Sequence, residues 1–232
     1  MKFALEHQYD LEWWKNVIWT DETSIVLGQR RGSVHVWRTS QERYDSTVVR
    51  PRWNKASEFM FWGSFSYDKK GPFHIWKQET AKEKNAAKKE LNRLNAITEP
   101  EAKARWELAT AMRRLNLRGK PPGQVPIWKY TKKEGVLVRE VSKGGIDWYR
   151  YQKTILIPKL LPFAKEYMED RPDTWVQEDK APSHAHKAQN QVFLDAGIAQ
   201  LLWPGNSPDL NAIEPAWPIL KRRTTRYGPP LA

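Results

Sequence analysis

Apolar and polar positions alternate over the first third of the chain. In "NVIWTDETSIVLG" (16–28) a short strand from Val17 to Thr20 ends in acidic residues. In "GSVHVWR" (32–38) Val34 and Val36 alternate with His35 and Trp37. The aromatic run "EFMFWGSFSY" (58–67) carries Gly63 inside it, and "GPFHIWK" (71–77) follows the turn-like Tyr67-Asp68-Lys69-Lys70-Gly71. Strands joined by such short links predict an antiparallel meander.

The period then lengthens. Residues 80–117 read as a helical hairpin. Leu91 and Leu94 lie one turn apart, and after Thr98-Glu99-Pro100 a second run spaces Leu108, Met112 and Leu115 at i, i+4, i+7. "LRGKPPGQVP" (117–126) is a loop by its Pro and Gly, and "GVLVREV" (135–141) predicts a short hairpin arm. Residues 147–170 have helical spacing through Ile157, Leu161, Ala164 and Met168, while Pro158 and Pro162 predict a kink or a start near Pro158. "TWVQED" (174–179) predicts a strand ending in carboxylates, "SHAHKAQNQVFLDAG" (183–197) a helix stopped by Gly197, and "IAQLLWP" (198–204) another strand. The proline-broken "WPGNSPDLNAIEPAW" (203–217) leads into a last helix from about Pro215, a residue suited to a first helical position. Meander, helix, strand, helix, strand, helix is the order of an α/β fold, a mixed sheet with helices on its faces.

At 232 residues the chain is one domain, or one with a large insertion at about 80–146. No run approaches the roughly 18 apolar residues of a membrane span, and "MKFALEHQYD" lacks the apolar region of a secretory signal. The absence of cysteine excludes disulfides and thiolate metal sites and fits an intracellular protein. Any metal must be held by oxygen or histidine.

A net charge of +12 points to a polyanionic partner, nucleic acid before membrane. Residues 81–133 hold 14 Lys and Arg against 5 Glu. Lys88, Lys89, Arg113 and Arg114 there, and Lys221, Arg222 and Arg223 near the end, are candidates for contacts to DNA phosphates. A solvated helical hairpin accounts for the same charge. The 13 tryptophans mostly flank strand-like runs, where core packing is their ordinary role.

Two strands end in acid, at Asp21 and at Asp179. Alternation puts Val17, Trp19 and Asp21 on one face of the first, and Trp175, Gln177 and Asp179 on one face of the second. If the strands are neighbours, two carboxylates meet at the sheet's end and Glu214 arrives from a helix. Three such groups repel unless a divalent cation neutralises them, and hard oxygen donors suit Mg²⁺ or Mn²⁺ in phosphoryl transfer. Position alone leaves each of the three open to an ordinary solvated or capping role. His184 and His186 fall on different faces of a helix and read as surface or loop residues. Glu22 and Glu178 point away from their neighbouring aspartates, as solvent or salt-bridge groups, and Asp209 reads as a turn brace. "GQRRG" (28–32) is a basic turn, and no Walker-type loop or zinc signature is present.

Together "WTDET", "VQEDKAPSHAH" and "WPGNSPDLNAIEPAWPILKR" resemble the catalytic domain of the mariner superfamily of DDE transposases, fungal members most of all. The blocks D-x-A-P-x-H and SPDLN-x-IE occur in the family's order, and 34 residues separate Asp179 from Glu214, the spacing of one major branch. The resemblance runs from about Asp10 to Gly228. It implies a ribonuclease H-like fold and two Mg²⁺ ions, with Mn²⁺ as substitute. It implies cleavage and strand transfer of double-stranded DNA in cut-and-paste transposition, a homodimer holding two DNA ends, and work in the nucleus. By motif match Asp21, Asp179 and Glu214 take the catalytic and metal-ligand roles, and His184 a supporting one.

The departures are specific. Lys180 stands where the family usually has asparagine, and its side chain either points away harmlessly or turns inward and competes with a cation. Pro218 is a poor interior helix residue that fungal relatives share. Only some twenty residues precede Asp21, too few for the family's helix-turn-helix modules, so on this reading the chain is a fragment or a relic gene product. A second reading stays open, a transposase-derived DNA-binding or assembly protein whose chemistry is lost.

Overall fold

A computed structural model of the chain describes residues 10–26, 39–45, 58–115, 127–139, 146–205 and 207–224. The predicted strand at 32–38, the turn at 28–32, the loop at 117–126 and the last two residues of the arm at 135–141 lie outside the described residues. Two compact units are present, Met1–Lys77 with Ile146–Ala232, and Gln78–Gly145.

The first unit begins with a helical turn, α1 (Leu11–Trp14), capped by the Asp10 carboxylate. Three antiparallel strands follow, β1 (Val17–Val26), β2 (Glu58–Phe65) and β3 (Lys70–Ile75). Further along the chain lie β4 (Trp175–Gln177) and β5 (Ala199–Gln200), both parallel to β1, and the sheet order is β3-β2-β1-β4-β5. The mixed α/β sheet expected from the sequence is therefore present, with shorter parallel strands than predicted. β5 covers two residues of the predicted 198–204, because only Trp175 and Val176 of β4 are there to pair with it. β1 is longer than predicted, because pairing with β2 continues to Val26↔Glu58 after pairing with β4 has stopped at Trp19↔Gln177.

Alternation in β1 divides the core in two. Ile18, with Val176 and Trp62, packs beneath the helices of residues 148–170 and 187–196. Val17 and Trp19 pack on the other face with Trp203, Ile213 and Trp217. The helical stretch consists of α3 (Trp148–Tyr151), a π-helical segment Gln152–Leu160 and α4 (Leu161–Asp170). Pro158 neither starts nor breaks it. A proline lacks the N–H that an α-helix needs, and the wider turn absorbs the defect, with Leu161 N–H bonding to Leu156 C=O. The wider turn also rotates the buried face. Tyr151, Ile155, Leu156, Leu160, Ala164 and Tyr167 are buried, whereas the predicted stripe residue Ile157 is exposed.

Helix α5 (Lys187–Ala196) begins four residues later than predicted, because Ala181–His186 forms turns. His186 is its N-cap, accepting from Ala188 N–H at 3.2 Å. Gly197 ends it in the left-handed conformation, φ 68°, as its position predicts. The last helix, α6 (Ala216–Thr224), takes Pro218 in its first turn, where no N–H is needed.

The second unit is not a hairpin. One 34-residue helix, α2 (Ala81–Arg114), runs through Pro100, started by a capping box of Thr80 and Glu83. The Thr98 hydroxyl bonds to the Leu94 and Asn95 carbonyls just before the proline. The segment 127–139 lies along this helix rather than forming the predicted hairpin arm. Asn95 bonds both N–H and C=O of Leu137, Thr98 meets Tyr130 at 2.7 Å, and Trp106 packs on Trp128. Leu108, Met112 and Leu115 are exposed, so this predicted apolar stripe is not buried by the described residues. No described helix is long and apolar enough to cross a membrane.

Candidate active site

The site grows out of the point where backbone pairing between β1 and β4 stops. Beyond the Trp19↔Gln177 pair, side chains take over from the ladder. Thr20 N–H donates to Gln177 Oε1 at 3.3 Å and Thr20 Oγ1 to the Gln177 carbonyl at 2.8 Å. Two residues further on each chain stand Asp21 and Asp179. Asp21 is inside β1, not at its end as predicted, and remains paired with Gly63 of β2.

The loop before α6 brings the third carboxylate. Asn211 donates to the Thr20 carbonyl at 3.2 Å, one residue before Asp21, and its own carbonyl accepts from Glu214 N–H at 3.1 Å. Asn211 is buried; Asp209, the predicted brace, is exposed in the 3₁₀ turn Pro208–Leu210. A second anchor follows at Trp217, whose indole Nε1–H donates to Asp21 Oδ2 at 2.7 Å. Gly63 makes this approach possible, since a Cβ there would lie 3.3 Å from the Trp217 ring and 3.1 Å from Phe61. Asp21, Asp179 and Glu214 thus line one cavity of about 520 Å³, with Gln177, Trp203 and Asn211.

The electrostatics of the two aspartates differ. Burial pushes Asp21 up to about 6, with the Glu22 and Glu214 charges adding to it and the Trp217 bond opposing it. Burial also pushes Asp179 up, but the His184 hydrogen bond and charge and the Ala181 N–H outweigh it and hold the group below its ordinary value. Desolvation works against a charged His184, yet Glu22, Asp179 and Glu178 hold its pKa well above the usual imidazole value.

His184 corrects the sequence reading most clearly. It is 4% exposed rather than superficial. Its Nδ1 lies 2.6 Å from Asp179 Oδ1 and its Nε2 lies 3.2 Å from Glu22 Oε1. Both acceptors are carboxylates, so both ring nitrogens donate. Glu22 and Glu178 do point away from the aspartates, but inward, not to solvent. Glu178 is buried, accepts from the Tyr151 hydroxyl and from Gln200, and burial raises its pKa. Of the alternatives the sequence offered for Glu22, a salt-bridge group is the one found, with His184 as its partner; Tyr151, Trp217 and Asn211 it did not name. The one signal available was the doubled acids, Asp21-Glu22 and Glu178-Asp179, which alternation sends to opposite faces.

Lys180 is exposed and lines the same cavity as the three carboxylates, so its side chain faces the cleft. Lys88, Lys89, Arg113 and Arg114 are exposed on α2, and Arg222 and Arg223 are exposed in the last turn of α6 beside a half-buried Lys221.

The donors are hard oxygens, and burial first, with the Glu22 and Glu214 charges behind it, raises Asp21 to about 6, a cost to its charged form that a divalent cation relieves. Among the described residues no three His, Asp or Glu side chains are gathered closely enough to grip an ion as they stand. The donor set fits Mg²⁺ or Mn²⁺ in kind and in shared cavity, and closing on an ion requires carboxylate rotation.

No protein-family model matches the chain. The Transposable element Tc3 transposase of Caenorhabditis elegans is 33% identical over 101 residues, 43% of this chain and 30% of that protein. The Transposable element Tcb1 transposase of Caenorhabditis briggsae is 31% identical over 102 residues, 44% of this chain and 36% of that protein. The chain spans about a third of the length of these curated relatives. In fold it is similar to the Mos1 mariner paired end complex with Mn, at TM-score 0.50 and 12% identity over 96% of this chain and 46% of that one. It is similar to a pre-cleavage Mos1 transpososome at TM-score 0.50 and 13% identity, over 98% of this chain and 48% of that one. The chain is thus similar in sequence to the Tc3 and Tcb1 transposases over about 100 residues, and in fold it shares the ribonuclease H-like mixed sheet of the Mos1 structures.

Proposed function

We propose that this chain cleaves and joins DNA strands with divalent cations held by Asp21, Asp179 and Glu214, in cut-and-paste transposition. The observation that carries the reading is that three carboxylates from β1, the end of β4 and the loop before α6 share one cleft. A pair of Mg²⁺ or Mn²⁺ ions held there would neutralise charge on the scissile phosphate and on the attacking oxygen. The chain's own residues do the rest. Trp217 fixes the rotation of Asp21, and Asn211 holds the Glu214 loop to β1. Lys88, Lys89, Arg113 and Arg114, with Lys221, Arg222 and Arg223, hold DNA phosphates without reading sequence. The partner is double-stranded DNA, a reading that the likeness to the Mos1 paired end complex supports; a homodimer as the working form and the nucleus as the place of action complete the proposal.

The test is nicking of duplex DNA with Mn²⁺, native chain beside Asp21→Asn, Asp179→Asn and Glu214→Gln. Loss in all three supports the assignment; full activity in any one removes that residue from it. A second reading is favoured by one observation, Lys180 in the cleft: a DNA-binding protein whose chemistry is lost. It requires DNA affinity that is indifferent to divalent ions and to all three substitutions. Lys180→Asn then separates the two, since gain of Mn²⁺-dependent nicking supports a site blocked by one charge.

A further inference from the structure

Resting on the metal reading of the cleft, a further inference concerns two residues that touch neither substrate nor ion. β1 is held on its far side by β2 through Asp21 and Glu22, so these residues are fixed by the ladder. Glu178 and Asp179 lie past the end of β4 and have no such support. Their side chains are tethered instead. Glu178 accepts from the buried Tyr151 hydroxyl. Asp179 Oδ1 takes both the Ala181 N–H at 2.9 Å and His184 Nδ1 at 2.6 Å. The same imidazole reaches Glu22 Oε1 at 3.2 Å and packs against the Tyr151 ring at 4.3 Å. A side-chain strap therefore replaces the missing backbone pair between β1 and the segment after β4. With Oδ1 committed twice, Oδ2 is the oxygen left for the cleft.

We propose that Glu22 and His184 are positioning residues, in which Glu22 holds the imidazole, the imidazole holds Oδ1 of Asp179, and Oδ2 is thereby turned to the cation. Residues that orient a ligand in this way typically change metal affinity about 10- to 100-fold when removed. The geometry also makes the effect of Glu22 conditional, because it acts on Asp179 only through the ring.

The experiment is Mn²⁺ calorimetry on the full chain, with thermal melts of every variant. Glu22→Ala is expected to weaken Mn²⁺ about tenfold, and Glu22→Gln, which keeps an acceptor, to recover most of it. His184→Asn retains a donor near the Nδ1 position but cannot reach Glu22. In that background Glu22→Ala is expected to cost less than about twofold, since coupled residues are non-additive. Equal losses in both backgrounds, or a Glu22→Ala affinity within about twofold of native, would overturn the strap. Should His184→Asn fail to fold, the Ala-versus-Gln difference at Glu22 decides alone. A native chain that binds no Mn²⁺ sinks the metal reading instead. The melts then judge the contact, and additive losses in the same four proteins overturn it.

Discussion

Asp21 and Asp179 are the same residue type, on neighbouring chains of one sheet, lining one cleft, yet they are held in opposite ways. Asp21 is kept by a neutral indole and surrounded by other carboxylates, and it holds its proton up to about pH 6. Asp179 is kept by an imidazole that both nitrogens' partners keep charged, and it stays ionised below its ordinary value. The difference lies in the neighbour each has rather than in depth alone. One aspartate is ionised below its ordinary range and oriented by the imidazole; the other keeps its proton until about pH 6, chiefly through burial.

That contrast can be broken most forcefully by removing either charge. Asp21→Asn and Asp179→Asn are each expected to lower Mn²⁺-dependent nicking about a thousandfold, the ~4 kcal/mol of a lost metal contact. Their melting temperatures at pH 8 should move in opposite directions. Asp21 ionises near 3.8 when unfolded and near 6 when folded, so its contribution to stability is present below the lower value and lost as pH rises to about 6. Asp21→Asn therefore raises the melting temperature above pH 6. Asp179 has the opposite sign, contributing above its unfolded value and losing that contribution as pH falls through its depressed folded one. Asp179→Asn therefore lowers the melting temperature, and shifts of the same sign in both variants would refute the contrast.

The indole side is next in size. Gly63→Val is expected to destabilise the chain by about 1–3 kcal/mol by pushing Trp217 from β2. A urea melt measures this, and Asp21 should titrate higher still once its indole donor is gone. Smaller is the proton competition. Mn²⁺ affinity should fall up to about tenfold for each pH unit below 6, and calorimetry between pH 5 and 7 checks it. Smallest is Lys180→Asn, expected to strengthen Mn²⁺ about fivefold, the ~1 kcal/mol of one charge in a high dielectric. No change would show that the ammonium stays in bulk solvent.

Much of this site was legible before the fold. Alternation placed Asp21 with Trp19 and Asp179 with Gln177, and it sent Glu22 and Glu178 the other way. Both follow from a period of two, which needs no knowledge of neighbours. What surrounds those residues was not legible. Alternation says that Glu22 leaves the cleft, but whether it meets water or a histidine 162 positions away depends on how the turn at Ala181–His186 folds back. Helical spacing puts His184 at the surface, whereas the turns that residues 182–186 form instead carry it inward.

The sequence by itself determined the strands β1 to β5 as strands, the stop at Gly197, the order of the three carboxylates and the spacing that carries the family resemblance, since all of these are local or ordered along the chain. Only the tertiary structure decided that a π-helical segment carries Pro158, that α2 is one helix, that Lys180 faces the cleft, and that Trp217 reaches Asp21 across a glycine. Those outcomes depend on packing between residues distant in sequence, where a hydrogen bond or a missing Cβ outweighs the small local preferences of each segment.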